Sequence, residues 1–199
     1  MKQVSAQSVQ AYYQERERRN RGVTPKADDH NLEVICAYRL WHQVELPRDL
    51  FMRLVIVDAR GSRPLLPPDK PRLLKHVAER TLEVASSYDG PWNMHYILEL
   101  SRTFSTGLPC PDSLILREKV DGEPAEGSLY LQDGNHRAIA YAMALIADGC
   151  EYVPVRAYLG SDLDAASAFG QRHRPAADCG DWRRELRAQI REGSHEPCP

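Results

Sequence analysis

The sequence predicts an α+β protein in which a mixed sheet is flanked by helices and both termini are polar. Runs with strand character and helical periods follow one another in the order strand, helix, helix, hairpin, helix, strand. Of the 199 residues, 42% are hydrophobic and 27% are charged, which is ordinary for a globular domain with its own core. We expect a polar N-terminal arm over 1–30, the main domain over 31–160, and a helical extension and tail over 161–199.

Charge and cysteine content argue against several classes of protein. The net charge is -2 with neutral histidines, whereas a surface built throughout to hold nucleic acid needs a surplus of Lys and Arg. The five cysteines are widely spaced and form no CxxC pair that would indicate a zinc ribbon or a redox dithiol. The N-terminus has no apolar secretory core, and no apolar run approaches the roughly 20 residues of a membrane helix. We expect a cytoplasmic protein with free thiols.

The first elements are a polar helix candidate and two apolar runs. Residues 6–21 are compatible with a helix, which we interpret as a solvated or partly disordered arm; a basic patch for an anionic partner is the alternative. Residues 32–40 fit a strand or a short helix, since periodicity does not separate the two. The Val/Ile centre of 51–59 predicts a strand, and the four prolines of 64–71 predict a loop.

Two helices and a hairpin follow. Apolar side chains recur at helical spacing over 72–87. Asn93 is a capping residue for a second helix that extends to about residue 104. Two short runs, 113–118 and 128–132, flank a turn rich in Gly, Pro and acidic residues, which predicts a hairpin.

The next helix is apolar on almost every side over 138–147, which is typical of a buried helix. Gly149 can end it in a left-handed cap. Alternating apolar residues over 152–159 predict another strand. The pattern then weakens, and we expect short helices over 162–169 and 181–191.

A five-residue turn, Asp133-Gly134-Asn135-His136-Arg137, joins the hairpin to the buried helix. The first N–H groups of a helix have no partner within it and carry partial positive charge, so phosphate binds there favourably. Gly134 leaves room for the anion, and Arg137 can chelate two phosphate oxygens. Asn135 and His136 can donate further hydrogen bonds. Asp133 would repel phosphate, and its expected role is to hold the turn, orient a neighbour or bind a metal. A simple helix cap is the alternative interpretation of the turn.

The segment YLQDGNHRAIAYAMALIADG, followed by YVPVRAYLG, resembles the signature of the ParB/sulfiredoxin-like superfamily. These proteins carry a D-G-x-H-R or G-C-H-R turn at a helix N-terminus, followed by a strand of the VPV type. The resemblance covers about 112–160 and extends more loosely back to Leu54. It implies that fold, and it implies that Gly134 to Arg137 hold nucleotide phosphates, with Asp133 as part of the same cofactor-binding turn.

Three branches of that superfamily make different predictions. Sulfiredoxins use the cysteine of their turn, and Asn135 stands at that position here, which argues against their chemistry. Chromosome-partitioning ParB proteins bind CTP and DNA, and the roughly 40 residues after Gly160 are too few for their further domains. The free-serine kinases have a single domain and a DGHHR-like turn. The resemblance therefore implies a phosphotransferase that uses ATP or ADP with Mg²⁺, or CTP as an alternative, and acts on a small hydroxylated molecule.

In those kinases a glutamate on an earlier helix is the base. The corresponding helix is the one predicted over 72–87, which carries His76, Glu79 and Glu83. We take Glu79 as the candidate base, although the family's His-Glu spacing does not align here. Asp58, at the end of a predicted strand, is a second candidate for base or metal ligand. His136 can shuttle a proton. A solvated helix face and a turn are the structural alternatives for Glu79 and Asp58.

A polar and aromatic group before the second helix provides candidate substrate contacts. Trp92 and Asn93 can line a pocket, or Trp92 can pack and Asn93 can cap. His76 lies on the same predicted helix as the candidate base.

Two other functions stay open at this point. A nucleotide-binding module associated with nucleic acid would use the Arg-rich stretches 16–21 and 181–191. A scaffold that keeps the fold and binds nothing is the other alternative. The oligomeric state is left open.

Overall fold

The computed structural model describes residues 1–21, 29–57, 62–90, 92–110, 112–121, 123, 127 and 129–172. The strands among them are Lys2–Val4 (β1), Tyr38–Leu46 (β2), Val55–Ile56 (β3), Leu114–Glu118 (β4), Leu129–Asp133 (β5) and Val155–Leu163 (β6). The helices are Ala6–Arg21 (α1), His30–Ala37 (α2), Arg48–Met52 (α3), Leu74–Val84 (α4), Met94–Ser105 (α5), Asn135–Ala147 (α6) and Ala168–Arg172 (α7). These elements make an α+β protein with an open mixed sheet flanked by helices, as the sequence predicts.

The strand order across the sheet is β1-β2-β6-β4-β5-β3. β2 is antiparallel to both of its neighbours, β1 and β6. β6 is parallel to β4, β4 and β5 form an antiparallel hairpin, and β3 is parallel to β5. The hairpin therefore lies next to the middle of the sheet, and the turn that follows β5 leads directly into α6.

One face of the sheet carries the larger core. It contains buried residues of α3, α4, α5 and α6 packed on inward-facing residues of five strands. Residues 137–145 of α6 are all buried, because α4 and α5 cover the helix from outside while the sheet lies beneath it. Tyr141 on α6 has its ring centroid 5.6 Å from that of Phe51 on α3 and 5.3 Å from that of Phe104 on α5. This packing holds the start of α6 in a fixed position.

The other face carries a second core built from α1, α2 and α7. Val9 and Tyr13 of α1 are buried there, and Trp41 of β2 is completely buried. The Trp41 ring lies over Gly160 of β6, where an added Cβ would be 2.9 Å from it. Residues 1–21 are therefore an ordered strand and helix, and the expectation of a solvated arm is wrong for them. The sparse apolar residues of α1 suffice because they meet one preformed apolar face.

Several predicted elements are confirmed, with shifted ends. The helix predicted over 72–87 is α4, the helix that follows Asn93 is α5, and the predicted hairpin is β4 and β5. The buried helix is α6, which begins three residues before the predicted start at 138. Gly149 follows it with φ 61°, as expected for a left-handed cap. The ambiguous segment 32–40 is both: α2 ends at Ala37 and β2 begins at Tyr38.

The strand predicted over 51–59 is wrong in its first part. Arg48–Met52 forms α3, and the strand is limited to Val55–Ile56. Phe51 packs its buried ring against the rings of Tyr141 and Tyr152, with centroid distances of 5.6 and 5.9 Å. Tertiary packing of this kind overrides the weak local preference for a strand.

The helix predicted over 162–169 is also wrong in its first part. β6 begins at Val155, later than predicted, and continues to Leu163, which pairs with Tyr38 at the far end of β2. The ladder with β2 supplies hydrogen bonds that an isolated sequence does not reveal, and α7 begins only at Ala168. The helix predicted over 181–191 lies outside the described residues.

Candidate functional site

Gly134 shapes the connection between β5 and α6. Its φ of 99° lies in the left-handed region, which glycine adopts without strain. A Cβ at this position would be 2.5 Å from Cδ2 of Leu114 and 3.0 Å from Nη2 of Arg137. The chain thus turns from strand to helix within one residue, and only a glycine fits there.

The N-terminus of α6 presents its backbone N–H groups at this turn. The first helical hydrogen bond runs from the Ala138 N–H to the Gly134 carbonyl, at 2.9 Å. The N–H groups of Asn135, His136 and Arg137 precede this bond and belong to the first turn, whose donors have no partner within the helix. They carry the positive end of the helix dipole.

Arg137 is a buried cation with unused hydrogen-bonding capacity. The residue is 8% exposed, and within the described part of the chain its Nη1 makes no hydrogen bond. The nearest carboxylate oxygen, Oδ2 of Asp112, is 3.5 Å away, beyond the usual length of a charged hydrogen bond. Oδ1 of Asn135 is likewise buried and makes no hydrogen bond to a described residue. Buried polar atoms of this kind normally find a partner in water or a ligand.

These groups face a cavity of about 640 Å³. Its lining includes the whole turn 133–137, the adjacent Gln132, and residues from four other segments of the chain. The size falls within the roughly 300–1,000 Å³ that small-molecule sites occupy. The cavity therefore has room for a ligand whose anionic group lies against the start of α6.

α1 contributes the second arginine of the cavity. Arg16 is 4% exposed and forms ion pairs with Asp133 and, at 2.8 Å, with Glu17. Burial lowers the pKa of Arg16, but the hydrogen bond and charge of Asp133 more than offset it, so the pKa lies above its ordinary value. Arg16 is thus a permanent cation tied to the first residue of the turn.

Asp112 is held between two arginines beside the cavity. Arg19 of α1 donates to its Oδ1 at 2.7 Å, and Arg137 is the second partner. Tyr12 lies nearby and donates its hydroxyl to the Ser113 carbonyl at 2.9 Å. Burial raises the pKa of Tyr12, while the charge of Arg137 opposes that rise. α1 therefore covers the site through several polar contacts.

An aromatic pair encloses His136. The Trp92 ring meets the imidazole edge to face at a centroid distance of 4.8 Å, and the Tyr96 ring does so at 6.2 Å. Both aromatic residues line the cavity. Tyr96 is 43% exposed, so its ring also offers a surface to a ligand.

Of the predicted substrate contacts, Trp92 lies at the cavity and the other two have structural roles. The Asn93 side chain accepts a hydrogen bond from the Tyr96 N–H at 3.0 Å and caps α5. Nδ1 of His76 is 2.9 Å from the Pro71 carbonyl, and His76 is not among the described residues that line the cavity.

The expected bases are not brought to the turn. Glu79 forms a salt bridge with Lys70 at 3.0 Å on the outer side of α4, and its side chain is 40% exposed. Among the described lining residues Glu79 does not occur. Asp58 lies outside the described residues. The carboxylates that do line the cavity are Glu17, Asp112 and Asp133.

Sequence reasoning missed the residues that α1, α2 and the hairpin entrance bring to the cavity, namely Arg16, Glu17, Asn20, Asn31 and Asp112. The available signal was the buried face of α1, where Val9, Tyr13 and Arg16 recur at helical spacing. That spacing places Arg16 on the side of α1 that packs inward.

Comparisons with protein-family models, curated proteins and solved structures find no match to this chain. The relation to the ParB/sulfiredoxin-like superfamily therefore stays a prediction. Within the described ranges, no group of three or more His, Cys, Asp or Glu side chains is arranged to hold a metal ion. None of the described helices combines the length and the apolar character needed to cross a membrane.

Proposed function

We propose that this protein binds a nucleotide at the N-terminus of α6 and transfers a phosphoryl group to a small hydroxylated molecule. The observation that carries the proposal is the buried Arg137, whose Nη1 makes no hydrogen bond to a described residue and lies beside the first N–H groups of α6. A guanidinium and a helix N-terminus together favour phosphate over other anions, because both donate several hydrogen bonds at once.

The rest of the cavity supports a nucleotide rather than free phosphate as the ligand. A volume of about 640 Å³ is far larger than one phosphate group requires. Tyr96 and Trp92 provide aromatic surface at its rim, to which a base can stack. The resemblance of the turn to nucleotide-binding turns of the ParB/sulfiredoxin-like superfamily points to the same class of ligand.

Asp133 is our candidate for the group that accepts the proton of the attacking hydroxyl. It directly precedes the phosphate site, and Arg16 holds its Oδ2, while its Oδ1 has no hydrogen-bond partner among the described residues. Glu79 is not proposed in this role, since its partner is Lys70 and it does not line the cavity among the described residues. In phosphoryl transfer most of the rate comes from positioning and charge neutralisation, so one oriented carboxylate suffices.

Mg²⁺ fits this arrangement if it arrives with the nucleotide. Magnesium in such sites takes its ligands from phosphate oxygens and water, with one or two carboxylates from the protein. Asp112 lines the cavity and, with Asp133 assigned as the base, is the side chain suited to that role. When bound, the ion would neutralise phosphate charge next to carboxylates that otherwise repel it.

The nucleic-acid alternative receives less support from the geometry. Three arginines of the stretch 16–21 already pair with carboxylates of the chain: Arg16 with Asp133, Arg18 with Glu15, and Arg19 with Asp112. Phosphate backbones bind where cations are unpaired and solvated on one surface. The second Arg-rich stretch lies outside the described residues.

The experiment is a binding and turnover assay with the full chain. Pyrophosphate, ATP, ADP and CTP are titrated by calorimetry with and without Mg²⁺, and labelled nucleotides are then incubated with a panel of hydroxy amino acids. We expect nucleotide binding that weakens by about 10- to 100-fold in Arg137→Met, because a buried charged hydrogen bond contributes about 1.5–3 kcal/mol.

Arg102→Met is the matched control. Arg102 lies exposed on α5, so the variant removes the same charge at a position that is not among the described cavity residues. Equal affinities in the two variants, or an absence of nucleotide binding to the wild type, would contradict the proposal. Nucleotide binding without any phosphoryl transfer would support the proposed binding site and contradict the proposed reaction.

A further inference from the structure

A chain of hydrogen bonds runs from the sheet to the cavity and fixes the orientation of two amide side chains. Nε of Arg117 donates to Oε1 of Gln132 at 3.0 Å. Nε2 of Gln132 then donates to Oδ1 of Asn31 at 2.8 Å. Gln132 lies on β5 and Asn31 on α2, and both line the cavity.

The direction of this chain is set at both ends. Arg117 is 3% exposed, is held by an ion pair with Glu123, and can only donate, so the oxygen of Gln132 must face it. At the other end, the Tyr13 hydroxyl donates to Asp29 at 3.0 Å, and Nδ2 of Asn31 lies 3.4 Å from that hydroxyl. Flipping either amide would place two donors or two acceptors against each other.

The oxygen of each amide is thus already used as an acceptor, and this fixes the position of the amide nitrogen on the opposite side of the group. Each amide nitrogen carries two hydrogens. One hydrogen of Gln132 Nε2 goes to Asn31, and one of Asn31 Nδ2 is directed at Tyr13. The described residues provide no acceptor for the second hydrogen of either nitrogen. Gln132 is only 8% exposed, so its second hydrogen needs a partner in the cavity.

The charges around the cavity decide what kind of acceptor belongs there. The lining contains three carboxylates, Glu17, Asp112 and Asp133, against the two guanidinium groups of Arg16 and Arg137. A phosphate at the start of α6 would take the unused donors of Arg137. A second anion would then face carboxylates without a cation to balance it. A neutral oxygen has no such penalty.

We propose that Gln132 and Asn31 form a second subsite that recognises a neutral carbonyl oxygen on the phosphorylated ligand. The inference rests on the proposed nucleotide binding and adds a specificity to it: a base that presents a carbonyl to the two amide nitrogens binds, and a base that presents an amino group in its place is disfavoured. A donor facing two donors leaves all three groups unpaired.

The test compares nucleotides that exchange a carbonyl for an amino group, together with the hydrogen on the adjacent ring nitrogen: ITP against ATP and UTP against CTP, by calorimetry on the full wild-type chain. Pyrophosphate is titrated in parallel and reports on the phosphate site alone. We expect the carbonyl-bearing nucleotide of at least one pair to bind about tenfold more tightly than its amino counterpart, which is the size of one satisfied hydrogen bond.

Each of two variants removes one amide nitrogen and keeps the oxygen that accepts from the preceding donor; Gln132→Glu thereby also loses the hydrogen bond to Oδ1 of Asn31. Asn31→Asp retains an oxygen for Gln132 and loses the amide nitrogen, and Gln132→Glu retains an oxygen for Arg117 and loses its nitrogen. We expect the tenfold preference to fall to about parity in either variant that keeps a native melting transition. Asn20→Asp is the matched control, because it adds the same charge to the cavity lining from α1; it should weaken both nucleotides of a pair equally.

The outcomes separate the subsite from the site beneath it. Pyrophosphate binding without a preference in either pair, or a preference that survives Asn31→Asp and Gln132→Glu, overturns the subsite and leaves the proposed phosphate site standing. A preference lost equally in Asn20→Asp also overturns it, since charge alone would then explain the change. If neither pyrophosphate nor any nucleotide binds, the proposed function fails and the subsite fails with it.

Discussion

Five consecutive residues, 133–137, form one wall of the cavity, here called the turn wall, whereas a second wall combines side chains from α1 and α2. This helix wall consists of Arg16, Glu17 and Asn20 from α1 and Asn31 from α2. The turn wall is local in sequence. The helix wall exists only because α1 packs on the opposite core from the one that holds α6.

The two arginines show what this difference means for function. Arg16 in the helix wall pairs with Asp133 and Glu17, while Nη1 of Arg137 in the turn wall makes no hydrogen bond to a described residue. Both are buried, at 4% and 8% exposure. We infer that Arg16 mainly stabilises the fold and that Arg137 is kept for the ligand. Stability and binding are thus carried by different walls, and this division is open to test.

The largest effect on stability is expected for Arg16→Met. The substitution leaves two mostly buried carboxylates without their cation, and breaking a buried ion pair in this way costs about 3 kcal/mol or more of unfolding free energy. Arg137→Met should lower that free energy by less while it weakens nucleotide binding, because its contact with Asp112 is 3.5 Å long and Arg19 still pairs with that carboxylate. Urea denaturation of both variants measures this difference. Equal losses of unfolding free energy would contradict the inference that Arg16 stabilises the fold and Arg137 serves the ligand.

A smaller effect is expected for Gly134→Ala in the turn wall. The φ of 99° and the 2.5 Å approach to Leu114 together should lower the free energy of unfolding by about 2 kcal/mol. Gly149→Ala is the control, because its φ of 61° carries similar strain but nothing lies within 4 Å of the added Cβ. We expect about 1 kcal/mol there. Urea unfolding that gives the same loss for both variants would mean that the close approach to Leu114 is not felt.

The α1 helix, which carries most of the helix wall, should also respond to alkaline pH through Tyr13, whose hydroxyl lies beside Asn31 of that wall. Burial raises the pKa of Tyr13 above its ordinary value, so the native state keeps a proton that the unfolded chain releases above about pH 10. Its contribution to stability is complete below that pH and is lost as the pH rises towards the native pKa. The loss amounts to about 1.4 kcal/mol per pH unit for this one proton.

Tyr13→Phe should therefore make the decline of stability between pH 10 and 11 shallower by up to that amount. Urea denaturation of the wild type and the variant across this range is the measurement. Burial raises the pKa values of Tyr38 and Tyr152 as well, so part of the slope remains in the variant. An unchanged slope would show that Tyr13 is not the protonated group.

The smallest effect is expected outside both walls. Glu79→Gln removes a surface salt bridge with Lys70, in which both side chains are at least 40% exposed, and should change stability by less than about 0.5 kcal/mol. If phosphoryl transfer occurs, its rate should be unaffected in this variant and strongly reduced in Asp133→Asn. Loss of the transfer rate in Glu79→Gln would indicate that Glu79 on α4, and not Asp133, is the general base.

Much of the turn side of the molecule is predictable from the sequence. The buried helix α6 shows itself by apolar residues on every side, and the hairpin shows itself by two short runs around an acidic turn. Gly134, between the hairpin and the helix, indicates a tight strand-to-helix connection. These signals are local, since each depends on residues within a few positions of one another.

The α1 side is not predictable in the same way. α1 is polar on most positions, and its few apolar residues indicate burial only when a second apolar surface is present. Phe51 and the end of β6 were misassigned for the same reason, because distant partners in the fold decided their conformation. Long-range contacts of this kind leave no periodic trace in the chain.

By itself, then, the sequence determined the turn wall. It supplies a glycine that permits the turn, a helix whose first N–H groups lie at that turn, and an arginine in the first turn of the helix. The tertiary structure alone decided which cations are already paired, which amides point their nitrogen atoms at the cavity, and which carboxylates stand near it. The physical reason is that backbone geometry follows from neighbouring residues, whereas burial, charge pairing and hydrogen-bond direction depend on side chains that lie far apart in the chain.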